Sequence, residues 1–411
     1  MKMNQQGYDL HDQRLEGETS CLTGAGPNSS PARLLLLMGA VALVIGLQNA
    51  AITPNLALFA NMRIGMTHCQ TAAFLGAFHL SALFCNLAIP HFTDVLGWRK
   101  APVVCSVCLT STGALMLDFV DGFPGALIVA TGLLGPAASS IGLYFSYLLS
   151  TEHGRGRVVS MRAVFSAACV AGSAGASFLI ASAGFGGLLM AIAFCGLPVL
   201  ILAPMLPPTI SISTSPPSKA APQNALNLGI LVIGFFLLQA ANSVVVMATP
   251  LIVTKTLKLP VTYAGLLFSC TAAMEIPLLL LLERVRQMRA PRVIVIIGSA
   301  CAFLYYCSMY TFSSFPILLS AQLLNAVFIA STMPVGMAWF QASLQKRVGL
   351  ATGLYMNTAR AGALLGTPSA IILVDFLGGD YKIAALYAAF LTLLAIALFS
   401  FGELYLGRSK V

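Results

Sequence analysis

The chain alternates long apolar runs with short polar interruptions, and this pattern predicts twelve membrane helices. A spanning helix needs about 20 apolar residues, because each residue adds only 1.5 Å to its length. Hydropathy windows of that size place helices at 34–59, 71–93, 101–118, 125–150, 159–183, 187–206, 226–252, 262–282, 291–311, 315–339, 350–375 and 383–405. We therefore expect an all-α membrane protein.

One polar segment divides these helices into two sets of six. Residues 207–225 contain several Pro and Ser residues and form the longest polar interruption after the N-terminal tail. Such a composition is typical of a linker. The sequence thus predicts a disordered cytoplasmic tail at 1–33, a six-helix bundle at 34–206, a cytoplasmic linker at 207–225 and a second six-helix bundle at 226–411. Transporters built from repeated bundles have this organisation.

Composition and charge support a membrane location. Only 9% of the residues are charged, whereas soluble domains carry roughly 25%. A net charge of +9 does not indicate nucleic-acid binding here, because the basic residues lie in short loops between apolar runs. With a cytoplasmic N-terminus, the outer loops hold Arg63, Lys255, Lys258 and Lys382, and nearly all other basic residues fall inside. The positive-inside rule then predicts a bacterial inner-membrane protein with both termini cytoplasmic.

The tail and the cysteines add no further chemistry. Residues 1–33 are polar and lack the early basic patch and apolar core of a cleaved signal peptide. Eight of the ten Cys residues lie in apolar runs, where Cys behaves as a small hydrophobe. Cys105 and Cys108 have CxxC spacing, yet no second pair accompanies them. We expect no metal and no cofactor.

The loop after the second predicted helix reads PHFTDVLGWRK, residues 90–100. It resembles the loop signature of the major facilitator superfamily at Asp94, Gly97, Arg99 and Lys100. This resemblance implies the major facilitator fold and a charge pair at Asp94 that latches neighbouring helices in one gating state. The alternative interpretation is a cytoplasmic topology anchor with a tight Gly turn. A degenerate second copy follows the eighth helix, at Glu283 and Arg284.

The second half carries a further resemblance. The stretches at 264–281 and 322–341 are similar to the bacterial sugar efflux transporters, and the end of the first helix, at 54–59, matches them loosely. The resemblance implies export of a sugar by proton antiport. The residues that carry it are Asn242, Ala272, Ala273, Glu275, Ile276, Pro277, Gln322, Asn325, Trp339, Phe340 and Gln341.

Glu275 is the first candidate for proton coupling. A carboxylate inside an apolar helix is costly at roughly 2.5–3.5 kcal/mol, and burial favours its protonated form. A change in hydration between two transport states would load and release a proton there. The alternative is a structural acid paired with Arg360. His79, midway along the second helix, is either a proton relay or a hydrogen-bonded packing residue.

Arg360 lies near mid-depth in the eleventh helix, where an unpaired guanidinium is expensive. It is a counter-ion for Glu275 or an anchor for an anionic or polyhydroxyl substrate. The sugar efflux family has a small polar residue at this position, so Arg360 argues against a neutral sugar. Arg162, a few residues into the fifth helix, is expected to snorkel to the interface.

Amides and aromatic side chains complete the candidate substrate site. Amides donate and accept hydrogen bonds, as recognition of hydroxyl groups requires, and aromatic rings stack on a sugar. For each residue the alternative is an interhelical hydrogen bond or ordinary packing. The candidates are Gln48, Asn49, Gln239, Asn242, Gln322, Asn325, Asn357, Tyr144, Tyr147 and Trp339.

Other classes of protein fit less well. The sequence has no H-E-x-x-H, G-x-S-x-G or Walker motif, so an enzyme is not indicated. A passive channel needs no buried acid for proton coupling. The stretch at 171–176 has small residues but lacks the Gly-Pro signature of antiporters. We therefore expect a monomeric, proton-coupled exporter of a sugar or small polar metabolite in the lipid bilayer. Export of an anionic metabolite, siderophore or drug is the alternative, and uptake by proton symport is a third possibility.

Overall fold

The computed structural model describes residues 31–96, 98–151, 157–207, 225–288, 290–344 and 348–406, and the elements in these ranges are helices. Helix α1 runs Pro31–Ile52, passes through a 3₁₀ turn at Thr53–Asn55 and resumes as Leu56–Met62. Helices α2 and α3 are His68–Leu96 and Lys100–Asp118. Helix α4 has four parts, namely Phe123–Val129, a π-helical Ala130–Leu134, Gly135–Ala137 and Ser140–Leu149.

The next helices follow one another with a single sharp break. Val158–Cys195 is divided at Gly184, whose φ of 70° and ψ of −171° are not helical, into α5 and α6. Helix α6 then continues through Leu197–Leu202 and Ala203–Met205. Helix α7 is Ala225–Leu251 with a π-helical end at Ile252–Thr256. The remaining helices are α8 (Thr262–Met288), α9 (Pro291–Thr311), α10 (Phe315–Ser343), α11 (Val348–Phe376) and α12 (Lys382–Leu406).

The described ranges contain 11 segments that are long and apolar enough to cross a membrane. One of them, Ser160–Met205, has 46 residues. At 1.5 Å per residue it is more than twice as long as the hydrocarbon core, which is about 30 Å thick. Its break at Gly184 lies between the predicted helices 159–183 and 187–206, so this segment crosses twice. The prediction of an all-helical protein with twelve spans is confirmed in this sense.

Helices α1–α6 and α7–α12 form two packed halves. In the first half α5 packs against α1 and α3, and in the second half α7 packs against α11 and α12. Two helix pairs, α2 with α11 and α5 with α8, make most of the contact between the halves, and α1 also contacts α7. The predicted tail and linker lie almost entirely outside the described residues, although α1 begins at Pro31, three residues before its predicted start.

Small residues permit the closest helix contacts, in equivalent places in both halves. A Cβ at Gly172 of α5 would lie 3.0 Å from the carbonyl oxygen of Leu47 in α1. A Cβ at Gly362 of α11 would lie 2.6 Å from the backbone nitrogen of Ala240 in α7. Membrane helices pack in this way because lipid offers no hydrophobic drive for association, so van der Waals contact between backbones must supply it.

Candidate functional site

A cavity of about 150 Å³ lies between the two halves, where α1 and α2 meet α7 and α11. Helix α1 changes to a 3₁₀ turn at Thr53 beside this cavity. Because one water occupies about 30 Å³, the cavity has room for about five waters or one small solute. Its lining mixes polar and apolar residues, namely Thr53, Leu56, Leu75, Phe78, His79, Asn242, Ser243, Val246, Met247 and Thr367.

Two buried polar atoms of this lining have no partner among the described residues. They are Nδ1 of His79 and Oγ1 of Thr367, on side chains that are 9% and 1% exposed. Buried polar atoms in proteins nearly always have a hydrogen-bond partner. Each of these atoms exposes almost no surface to the cavity, so a ligand would form a hydrogen bond with it only after a small movement of the side chain.

Arg360 lies on α11 near His79 and is not itself part of the cavity lining. Its guanidinium donates a hydrogen bond across the interface between the halves, to the carbonyl of Ala138 at the interruption of α4. No acidic side chain of the described ranges forms an ion pair with it, since the pair recorded there joins His68 and Asp375. His79 of α2 is within its electrostatic reach. A positive charge thus lies at mid-depth next to the cavity.

Glu275 faces Arg162 rather than Arg360. The antiparallel register of α5 and α8 is set by Ser269, whose hydroxyl donates to the carbonyl of Val170 at 2.8 Å. Continuing this register brings Glu275 within a turn of Arg162, and Arg162 is the cation that acts electrostatically on it. The predicted alternative of a Glu275–Arg360 pair is not found among the described ion pairs.

Arg162 also differs from its predicted position at the membrane surface. Its Nε is buried without a hydrogen-bond partner, and one terminal nitrogen lies 2.8 Å from Sδ of Met333 in α10. The guanidinium is thus held between α5, α8 and α10 rather than directed to the interface. Arg162 of the first half and Glu275 of the second half thus lie near each other without a recorded ion pair among the described residues.

Most polar side chains of the predicted site form their hydrogen bonds within a single half of the protein. Gln48 donates to Oγ of Ser111 at 3.0 Å and to the carbonyl of Ile192 at 3.2 Å. Asn49 donates to Oγ of Ser140 at 3.3 Å. The hydroxyl of Tyr144 donates to the carbonyl of Met38 at 2.9 Å, and that of Tyr147 donates to the carbonyl of Pro207. These contacts correspond to the alternative of interhelical hydrogen bonds.

The second half shows the same arrangement. Gln322 accepts a hydrogen bond of 2.6 Å from Thr271, which Asn325 also contacts at 3.4 Å. Gln239 donates to the hydroxyl of Tyr355 at 3.4 Å. The ring of Trp339 packs against Phe235 and Phe399. Asn357 is half-buried on α11, one turn before Arg360. Of the predicted amides, Asn242 is the one that lines the cavity.

The predicted gating loop is described in part. Nζ of Lys100 donates to the carbonyls of Pro204 and Leu206 at 3.3 and 3.1 Å, which ties the start of α3 to the end of α6. Arg99 immediately precedes α3. Gly97 and the side chains of Asp94, Glu283 and Arg284 lie outside the described residues, so their gating role stays a prediction.

At the opposite end of the bundle a polar cluster joins the halves, and sequence reasoning missed it. Nδ1 of His68 lies 2.5 Å from Oδ1 of Asp375, and its Nε2 lies 3.1 Å from the hydroxyl of Tyr381. Asn61 donates to the same hydroxyl at 3.4 Å. Burial, followed by the charge of Asp375, raises the pKa of Tyr381. We call these four residues the His68 cluster and this end of the protein the His68 end.

Close backbone contacts reinforce the His68 end. A Cβ at Gly76 of α2 would lie 3.3 Å from Pro368 of α11. A Cβ at Gly265 of α8 would lie 2.8 Å from the carbonyl oxygen of Ser173 in α5. Both helix pairs that join the halves are therefore in contact here.

A larger pocket of about 380 Å³ lies elsewhere, on α2 and α3, and its lining is almost wholly apolar. It includes Phe92 and Trp98, which are exposed on the outside of the helix bundle. A surface of this kind suits a lipid chain. It does not belong to the cavity between the halves.

Two helical halves with a polar cavity between them are the arrangement of many transporters. The comparisons with known proteins agree. The family model described as Major Facilitator Superfamily matches residues 231–410. The chain is 25% identical over 336 residues to Sugar efflux transporter A of Escherichia coli (strain K12), covering 79% of this chain and 85% of the relative.

A second relative is also a sugar efflux transporter by name, and a solved structure has the same fold. The chain is 26% identical over 336 residues to a Putative sugar efflux transporter of Deinococcus radiodurans, covering 79% and 86% of the two chains. The crystal structure of nucleoside transporter NupG superposes with a TM-score of 0.72 at 15% identity, covering 89% of this chain and 98% of that one. The second half of the chain therefore matches the major facilitator superfamily, and the chain as a whole resembles bacterial sugar efflux transporters rather than enzymes.

Proposed function

We propose that this protein is a proton-coupled secondary transporter of the bacterial inner membrane, which exports a sugar or small polar metabolite by alternating access. The observation that carries the proposal is the cavity between the halves, with its unpartnered His79 and Thr367 atoms. The two relatives, which are named as sugar efflux transporters, support export of a sugar. We further propose that both termini are cytoplasmic and that the monomer is the working unit.

Alternating access is supported by the contacts at the His68 end. With both termini in the cytoplasm, alternation of the helices puts this end outside. The His68 cluster and the Gly265 contact then close the outer side. An exporter in this state receives its substrate from the cytoplasm, and breaking these contacts releases it outside.

Proton coupling is supported by the position of Glu275 between the halves. The carboxyl lies in the α5–α8 interface near Arg162. Since the halves move during transport, the hydration of Glu275 and its distance from Arg162 change with the transport state. A dry environment favours the protonated carboxyl, and water or a closer guanidinium favours the charged one. Glu275 would thus bind and release one proton per cycle.

A second candidate function is export of an anionic metabolite, siderophore or drug. Arg360 supports it, because this half-buried cation has no acidic partner among the described residues. Proton symport into the cell would use the same groups in the opposite direction.

Glu275→Gln tests proton coupling. A thermal-shift screen of sugars, siderophore-like carboxylates and drugs first selects a ligand for transport in proteoliposomes. We expect the variant to lose uphill transport driven by a pH gradient and to retain counterflow exchange, because an amide of the same shape cannot titrate. Asp121→Asn, in the exposed loop before α4, is the matched control and should keep both activities. Full gradient-driven transport by Glu275→Gln would refute coupling at this residue.

A further inference from the structure

Arg360 is a half-buried cation with no acidic partner at ion-pair distance in the part of the chain that is described. Its described hydrogen bond is to the carbonyl of Ala138, which offers a partial charge only. None of the described acids acts on it electrostatically, whereas Glu275 is influenced by Arg162. A guanidinium at mid-depth is expensive without a counter-charge. This arrangement is expected where the missing anion arrives with a ligand.

The part of α11 that lines the cavity is on the same face of the helix as Arg360. Thr367 follows Arg360 by seven residues, which is close to two full turns of helix and places the two Cα atoms about 10 Å apart. His79 links them, because it lines the cavity and is also within electrostatic reach of Arg360. The guanidinium lies toward Ala138 of α4 rather than toward Thr367. A molecule that extends from the cavity past His79 would therefore reach the cation.

The rest of the cavity suits a hydroxylated ring or short chain. Thr53, Asn242, Ser243 and Thr367 supply groups that both donate and accept. On the apolar side, Phe78 and Met247 cover one face of such a molecule. Hydroxyl groups along one edge and a C–H face on the other are the features of a sugar.

The number of cations indicates which anion is bound. A phosphate monoester carries about −1.5 to −2 charges at neutral pH, so a single guanidinium would leave part of that charge unpaired in the membrane. A carboxylate carries one charge, and its two oxygens match the two parallel donors of the guanidinium. The site thus has the charge balance for a carboxylate.

We propose that the transported substrate is a sugar acid, a small hydroxylated monocarboxylate. Its carboxylate binds Arg360, and its hydroxyl groups bind Nδ1 of His79, Oγ1 of Thr367 and the amide of Asn242. This inference rests on the proposed transport function and narrows it to one substrate class.

The test measures the binding of three probes that share one sugar ring. The purified full-length protein is placed in nanodiscs, and binding is measured by isothermal titration calorimetry. The probes are D-glucuronate, its neutral methyl ester and D-glucose. We expect D-glucuronate to bind at least tenfold more tightly than the other two. Arg360→Gln should abolish this preference, while Arg63→Gln, which removes an exposed Arg at the His68 end, should retain it.

Thr367→Val provides a second variant that keeps Arg360 in place. It should weaken the binding of all three probes by a similar factor, because it removes a hydroxyl contact and no charge. Thr367→Val also keeps the test valid if Arg360→Gln does not fold, because the preference for D-glucuronate over its ester is measured on the wild type as well. Glucose-6-phosphate is added to exclude a phosphate site, and tighter binding of it than of D-glucuronate would overturn the assignment.

Two further results would separate failure of the carboxylate assignment from failure of the proposed sugar transport. Equal binding of D-glucuronate, its ester and D-glucose, unchanged by Arg360→Gln, would overturn the carboxylate assignment and leave a transporter of neutral sugars. Binding of none of these probes, together with transport of an unrelated compound in the proteoliposome assay, would overturn the sugar acid and the sugar proposal alike.

Discussion

Gln322 is 1% exposed and takes part in hydrogen bonds to three neighbours. Its Oε1 accepts from Thr271, and its Nε2 donates to the hydroxyl of Tyr305 and to the carbonyl of Leu318. These contacts connect α8, α9 and α10 inside the second half. A side chain satisfied in this way stabilises the bundle and has little capacity left for a substrate.

Gln322→Leu should therefore destabilise the protein rather than change its substrate. Interhelical hydrogen bonds in membranes contribute about 0.6 kcal/mol each on average, so we expect a loss of roughly 1–2 kcal/mol. Reversible unfolding in mixed micelles measures this loss. The matched control is Asn227→Leu on an exposed position of α7, which should leave the free energy of unfolding unchanged. Unaltered stability of Gln322→Leu would contradict the structural role.

The same residues show what a sequence can indicate about a site. A polar residue in an apolar helix can be recognised without a structure, because lipid does not tolerate it unpaired. The sequence does not show which residue is its hydrogen-bond partner. Gln48 bonds to a carbonyl 144 positions away and Arg360 to one 222 positions away. Local sequence does not encode such pairings. It therefore cannot distinguish Asn242, which lines the cavity, from the amides that form hydrogen bonds within one half.

At the scale of elements, the two helix pairs between the halves set how closely they approach. Helices α5 and α8 meet where Gly265 faces Ser173 and Ser177. The absence of a side chain at Gly265 permits this contact, and the hydroxyl of Ser269 then bonds to the carbonyl of Val170 one turn further along. A methyl group at this point would separate the helices.

Gly265→Ala should therefore keep the His68 end from closing. Its Cβ would lie 2.5 Å from Oγ of Ser177 and 2.8 Å from the carbonyl oxygen of Ser173, and the carbonyl belongs to a helix backbone that has little freedom to move. We expect a severalfold lower transport rate with normal expression. Gly175→Ala on α5 is the matched control, since its Cβ would meet nothing within 4 Å. Equal transport by both variants would show that this approach does not limit the cycle.

Element boundaries were predictable where a local signal marks them. Gly184 divides α5 from α6 with a φ of 70°, a conformation that favours Gly, and the sequence placed a break at 184–186. The interruption of α4 was not predicted. There Pro136 follows a π-helical turn, and the hydropathy of the segment is uninterrupted, so a window average contains no sign of it.

At the scale of the whole molecule, the His68 cluster links the halves through residues far apart in the chain. His68 and Asp375 are 307 positions apart, and Tyr381 contributes from the loop before α12. The Asp375 side chain is 53% exposed, so its contact with His68 is expected to be weak enough to break and re-form during a cycle.

Asp375→Asn should shift the population toward states that are open at the His68 end. The amide retains the shape of the side chain and loses its charge, so the contact with His68 weakens. Spin labels at positions 63 and 377, on a background without native cysteines, report the separation by double electron–electron resonance. We expect a larger fraction of long distances in the variant.

The matched control for this experiment is Asp380→Asn. Asp380 belongs to the same loop region, but it accepts from Thr256 and from the backbone of Lys382 within the second half. The same charge is removed without touching a contact between the halves. An identical distance distribution in all three proteins would show that the His68–Asp375 contact does not hold this end closed.

Hydropathy alone indicates a membrane protein, twelve helices and their approximate limits. Hydrocarbon imposes a length and an apolar composition on every span, and those constraints are local. The cost of a charge in lipid also singles out Glu275 and Arg360. By contrast, the approach of Glu275 to Arg162, the contact of Arg360 with α4 and the contact of His68 with Asp375 exist only in the folded protein. These relations depend on how the two halves pack against each other, and packing between distant segments leaves no periodic trace in the chain.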